Sequence, residues 1–111
     1  MKELKLIGNI GKKEMRFTPQ GKAVCEFSLA VTVKKGEEKQ TEWFKVVAWE
    51  KVAEIINQYA DVGSKMYVSG VPSLETWNDK ESGEARGKII LTVREFEFLS
   101  KAKEQADEPA F

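Results

Sequence analysis

Gln40–Ile55 reads QTEWFKVVAWEKVAEI, and its reading decides the fold. In extended backbone, side chains alternate faces with a period of two. Trp43, Lys45, Val47 and Trp49 then share one face, and Phe44, Val46 and Ala48 the other. The second is a core face. The first mixes large rings with a cation, and calls for either a second packing layer or a ligand with flat rings and negative charge. From Glu50 the period changes to three and four through Val52, Ile55, Ile56, Tyr59 and Ala60, the stripe of an amphipathic helix of about ten residues that stops near Gly63. A strand runs directly into the only convincing helix.

Working outward, KAVCEFSLAVTV is apolar at every odd position from Ala23 to Val33, with Glu26, Ser28 and Thr32 marking the even face. KKGEEKQ reads as a charged hairpin tip that returns the chain into the Trp43 strand. Upstream, a strand starts at Leu4 and Leu6, its alternation fails at GNIGKK as a bend, and a second short extended piece, MRF, enters the turn TPQG. Beyond the helix, KMYVSGVPSLE is a strand interrupted by Pro72, followed by a polar loop, TWNDKESGEARG, with Trp77 at its start. KIILTVREFEF closes the pattern, and its apolar parity moves from odd (Ile89, Leu91, Val93) to even (Phe96, Phe98), which predicts a bulge near Arg94. Five strands with one helix between the third and fourth is the order of an all-β OB-fold, a five-stranded Greek-key barrel whose helix plugs one end. Residues 1–99 are expected to form that single domain and residues 100–111 a short, flexible, acidic tail.

Composition narrows the function classes. The chain has 111 residues, one domain's length, and no apolar run near the roughly 20 residues that a membrane span needs. No charged-then-apolar leader opens it, so a soluble, cytoplasmic protein with no membrane partner is expected. Histidine is absent, which removes the commonest general base and metal ligand. Cys25 stands alone and reads as a small core residue. Lys and Arg total 18 against 18 Asp and Glu. Any basic surface must therefore be a local patch. No metal, cofactor or catalytic group is expected: Glu42, Glu50 and Glu54 have no partnering motif, and GNIG lacks the Lys-Ser/Thr of a phosphate-binding loop.

Trp43, Trp49 and Trp77 fall off the core face or in a loop. Rings so placed on a barrel sheet can stack unpaired bases, at about 1–3 kcal/mol per base. Alternatively Trp49 packs on the helix plug and Trp77 folds onto its loop. Arg16, Lys22, Lys34, Lys35, Lys45, Lys51 and Arg86 take outward parities or loops near the rings, as phosphate tracking requires, with Phe17 beside Arg16. Each alone reads as a solvated charge, and only the cluster carries weight. The end ADEPAF can be a docking peptide or a solubilising end.

At these residues the chain resembles the bacterial and phage single-stranded DNA-binding proteins. The resemblance runs through LIGNIGKKEMRFTPQGKAVCEFSLAV, TEWFKVVAWEKVAEI and GSKMYVSGVPSLETWND, nearly all of the first hundred residues. It implies an OB-fold subunit that assembles as a tetramer, with a dimer as the alternative, and that stacks single-stranded DNA on Trp43, Trp49 and Trp77. It further implies protection of unpaired DNA in replication, recombination and repair, and recruitment of replication and repair proteins by Asp107, Glu108, Pro109 and Phe111. The chain departs from the family pattern at several points. Lys34 and Lys35 stand where a further aromatic is expected, Phe44 stands where a histidine linked to subunit contacts is common, a lysine before Gly63 is missing, and Ala110 separates Pro109 from Phe111. Two rival functions stay open: an OB-fold primosome adaptor acting mainly through protein contacts, and a carboxylate-dependent nuclease, which no metal-ligand cluster in the sequence supports.

Overall fold

In the computed structural model, which describes residues 1–100, the chain runs β1 (Leu4–Phe17), β2 (Ala23–Lys35), β3 (Glu38–Trp49), α1 (Glu50–Tyr59), β4 (Lys65–Asn78) and β5 (Ala85–Ser100). The strands close into a barrel in the order β1-β2-β3-β5-β4, with β3 and β5 parallel and the other pairs antiparallel. This is the OB-fold expected from the element order.

Inward parity builds the core. Cys25, Phe27 and Leu29 of β2 meet Val46 and Ala48 of β3, Leu6 and Ile10 of β1, Met66 and Val68 of β4, and Leu91 and Val93 of β5. Burial pushes the Cys25 thiol pKa up, as for a core thiol.

The bend expected at GNIGKK is a register shift between Ile10 and Lys13, and β1 continues through it as one strand, so MRF is not a separate piece. Glu95 pairs with Ser69 and Val93 with Gly70, which leaves Arg94 as the extra residue of the expected bulge.

The helix keeps most of its expected face, with Val52 packed against the core, and departs from it at one position. Ala53, Ile56 and Ala60 are buried and join the core, while Tyr59, placed in the apolar stripe by spacing, is exposed and packs beside Phe98 with ring centroids 6.4 Å apart. A stripe read at three and four leaves its centre undetermined by about one residue, and the barrel mouth selects the small Ala53 and Ala60. The last turn carries no basic side chain. Lys13 serves it from β1: its Nζ donates to the carbonyl oxygens of Asn57, at 2.9 Å, and Ala60. An ammonium there meets both the open carbonyls and the negative end of the helix dipole.

The connections are shorter than the sequence implies. Lys34 pairs with Lys39 and Lys35 with Glu38, so the hairpin tip is only Gly36-Glu37, with Gly36 at φ 64°. Trp77 is not in a loop. It lies on β4 opposite Arg86, and only Asp79–Glu84 connect β4 to β5. Polar residues hid this ladder because both faces of the hairpin's outer part are solvated.

Candidate nucleic-acid interface

The outward parity of β2 and β3 forms a ruled face, within which Val24 and Val47 are themselves buried. Across β3, β2 and β1, Val47 aligns with Glu26 and Glu14, and Trp49 with Val24 and Arg16; Trp43 stands opposite Ala30, and Lys45 opposite Ser28. Trp43 and Trp49 therefore share a face, as the alternation predicts, but stand about 20 Å apart along β3 at ~3.3 Å per residue. No single base contacts both rings.

Trp43 is 62% exposed. Its ring reaches across β2 to the β1 bulge, where a Cβ built on Gly11 would lie 2.5 Å from Trp43 Cζ3. The bulge is held by Ser28, whose Oγ accepts the Lys12 amide at 2.9 Å. Beside the ring is a pocket of about 340 Å³, with Phe27 and Phe44 at its apolar side and Lys12, Lys45, Lys88 and the acids Glu14 and Glu26 around it. A flat aromatic surface thus stands beside three cations and two carboxylates.

Trp77 is 46% exposed and carries Lys88 Nζ 5.5 Å from its ring centroid, within cation–π range. Lys88 also lines the Trp43 pocket, so one cation links the two aromatic positions. Its ammonium lies 3.7 Å from Glu75 Oε1 as well.

The other sequence-predicted residues are dispersed. Trp49, 42% exposed, occupies the N-cap of α1 without a side-chain cap bond. Lys51 is exposed on α1, off the strand ladder. Phe17 is exposed at the end of β1. Lys34 and Lys35 flank the β2–β3 tip, and Lys35 lies 3.9 Å from Glu42.

Arg86 is engaged by acids of its own hairpin, with Nε 3.6 Å from Asp79 Oδ2 and Nη2 3.5 Å from Glu84 Oε2. Asp79 Oδ1 accepts the amides of Ser82 and Glu81, and these bonds, with Arg86, hold its pKa below the ordinary aspartate value. Arg16 Nη2 donates to Glu26 Oε1 at 2.7 Å, and Lys45 Nζ lies 3.7 Å from the same oxygen.

Sequence reasoning missed Gly11, Lys12, Ser28 and Lys88 at the pocket. The signal for Lys88 was present, since odd parity in KIILTV extends to outward even positions. Lys12 carried no such signal, because the bulge resets parity at that point. Asp107, Glu108, Pro109 and Phe111 lie outside the described residues. Among the described residues no cluster of potential metal ligands occurs, and no helix is long and apolar enough to cross a membrane.

Residues 1–99 match the model of the single-strand binding protein family. The chain belongs to this family. The single-stranded DNA-binding protein 1 of Synechocystis sp. is 33% identical over 106 residues, covering 92% of this chain and 86% of the relative. The single-stranded DNA-binding protein 2 of Nostoc sp. is 31% identical, covering 90% and 79%. A solved structure described as a Plasmodium falciparum SSB complex with ssDNA superposes with a TM-score of 0.75 at 20% identity, covering 90% of this chain and 96% of that one. At that identity the likeness speaks for the barrel alone. The curated relatives speak for the family.

Proposed function

We propose that the protein binds single-stranded DNA with little sequence preference and without catalysis, keeping it unpaired in replication, recombination and repair. The observation that carries this reading is the exposed Trp43 ring standing beside an apolar pocket whose charged rim holds Lys12, Lys45 and Lys88 against Glu14 and Glu26. Every base has a flat face, so stacking tolerates any sequence, while the cations meet the phosphates. Trp77 with Lys88, and Trp49 with Arg16 in the next rows of the ladder, extend the path in two directions from Trp43. Lys34, Lys35, Lys51, Phe17 and Arg86 are peripheral contacts in this reading. Membership in the single-strand binding protein family supports it.

In the same reading residues 1–99 are the DNA-binding domain, and the tail recruits replication and repair proteins through Asp107, Glu108, Pro109 and Phe111. Assembly as a tetramer, or else a dimer, in the cytoplasm completes the proposal. Light scattering behind gel filtration measures that assembly.

The decisive test titrates a thymidine homopolymer, then a duplex of equal length, against intrinsic tryptophan fluorescence at several salt concentrations. Quenching by the single strand alone, to a definite site size, is the expected result. No quenching by either would reject the stacking platform and favour an adaptor that works through protein contacts.

A further inference from the structure

Glu26 is the one residue of the ruled face whose charge opposes the proposed ligand while holding two of its contacts. Its Oε1 takes the Arg16 hydrogen bond at 2.7 Å and lies 3.7 Å from Lys45 Nζ. The Glu26 side chain is 23% exposed, against 49% for Arg16 and 32% for Lys45, so the carboxylate is the most sheltered of the three. Stability does not account for an acid at this point. Glu14 stands directly opposite Glu26 in the β1–β2 register, and like charges in facing positions disfavour the pairing. Ion pairs as exposed as these also contribute little to folding. What the arrangement does reproduce is the contact set of a phosphate: one anionic oxygen shared between a guanidinium and an ammonium.

We infer that Glu26 is an intramolecular stand-in for phosphate, seated between Arg16 and Lys45 until a DNA phosphate displaces it. The inference rests on the proposed single-strand binding and deepens it, by naming a residue that limits affinity. Displacement makes each binding event an exchange of one anion for another on the same two cations. The face then has weaker net attraction for a strand than its lysines and arginine alone would give, and it releases a bound strand more readily.

The test compares wild type with Glu26→Gln by fluorescence titration of a thymidine homopolymer at several salt concentrations. The variant is expected to bind about three- to tenfold tighter near 0.1 M salt, from removal of one like charge beside the phosphate. Its slope of log affinity against log salt is expected to steepen by about 0.7, the value for one further phosphate contact on a single strand.

A double-mutant cycle separates this role from a merely structural one. Lys45→Gln is expected to cost little in wild type, where Glu26 already engages Lys45, and several-fold more in the Glu26→Gln background. Thermal unfolding checks that the variants are folded, and Glu26→Ser replaces Glu26→Gln should the latter fail that check. Equal or weaker binding with an unchanged slope and no coupling would overturn the inference and mean that Glu26 only positions its cations. In that case wild-type quenching leaves single-strand binding intact. Absence of quenching in wild type would remove both.

Discussion

The Trp43 ring occupies the space that a side chain at Gly11 would fill: a Cβ there would meet Trp43 Cζ3 at 2.5 Å and Cη2 at 3.0 Å, with Ser28 Oγ at 2.8 Å. The contact spans two strands and depends on the β1 bulge that turns Gly11 toward the outer face. Trp43 can lie low over the sheet only because position 11 has no side chain.

Gly11→Ala should therefore lift or turn the ring. We expect it to lose part of the ~1–3 kcal/mol that a stacked base contributes, read as weaker fluorescence quenching by a thymidine homopolymer. The unfolding temperature should move less than for a backbone clash, since the close atoms belong to the side chains of Trp43 and Ser28. Unchanged affinity would show that the seat of the ring is irrelevant to binding.

Trp43 and Trp49 stand six residues apart on one strand, about 20 Å at ~3.3 Å per residue. Groups this far apart without shared partners act independently. Trp43→Ala should weaken binding to the homopolymer by about 1–3 kcal/mol, and the double variant with Trp49→Ala should equal the sum of the single effects within about 0.5 kcal/mol. A strongly non-additive result would mean that the strand does not run along β3.

Gly70 faces backbone. A Cβ there would lie 1.8 Å from the Thr92 carbonyl oxygen, beside the extra residue Arg94. Neither atom can rotate away, so Gly70→Ala must open the β4–β5 ladder. A loss of about 2–4 kcal/mol in urea unfolding is expected. Wild-type stability would show that the bulge adjusts freely.

Asp79 organises the β4–β5 connection, and its carboxyl titrates below the ordinary aspartate value because backbone amides of Ser82 and Glu81, then Arg86, favour the charged form. A lowered folded-state pKa contributes stability that is fully present above the unfolded value, about 3.9. That contribution is lost as pH falls through the folded value. Exchange of the Ser82 and Glu81 amides should accelerate as pH drops below about 4 relative to Asp79→Asn, in which the acceleration is absent. Matching profiles for the two proteins would rule the effect out.

Element order and core parity were legible in the amino-acid sequence because both are local. Alternation in Ala23–Val33 placed Cys25, Phe27 and Leu29 inside, the change of period at Glu50 placed the helix, and the parity switch around Arg94 located a bulge. Each signal is carried by neighbours in the chain. The polar hairpin around Trp77 was not legible, since a ladder solvated on both faces has no hydrophobic period.

Charge partnerships belong to the tertiary structure alone. That Lys13 reaches the end of α1, that Lys88 lies beside Trp77 and the Trp43 pocket, and that Glu26 sits between Arg16 and Lys45 follow from strand register. Register is set by the shifts in the β1–β2 and β4–β5 ladders and by closure of the barrel, which bring together residues far apart in the chain while their neighbours point elsewhere. The sequence by itself determined the element order and the inward face of β2 and β3; only the closed sheet, which also buries Val24 and Val47 of the outward parity, decided which outward residues meet.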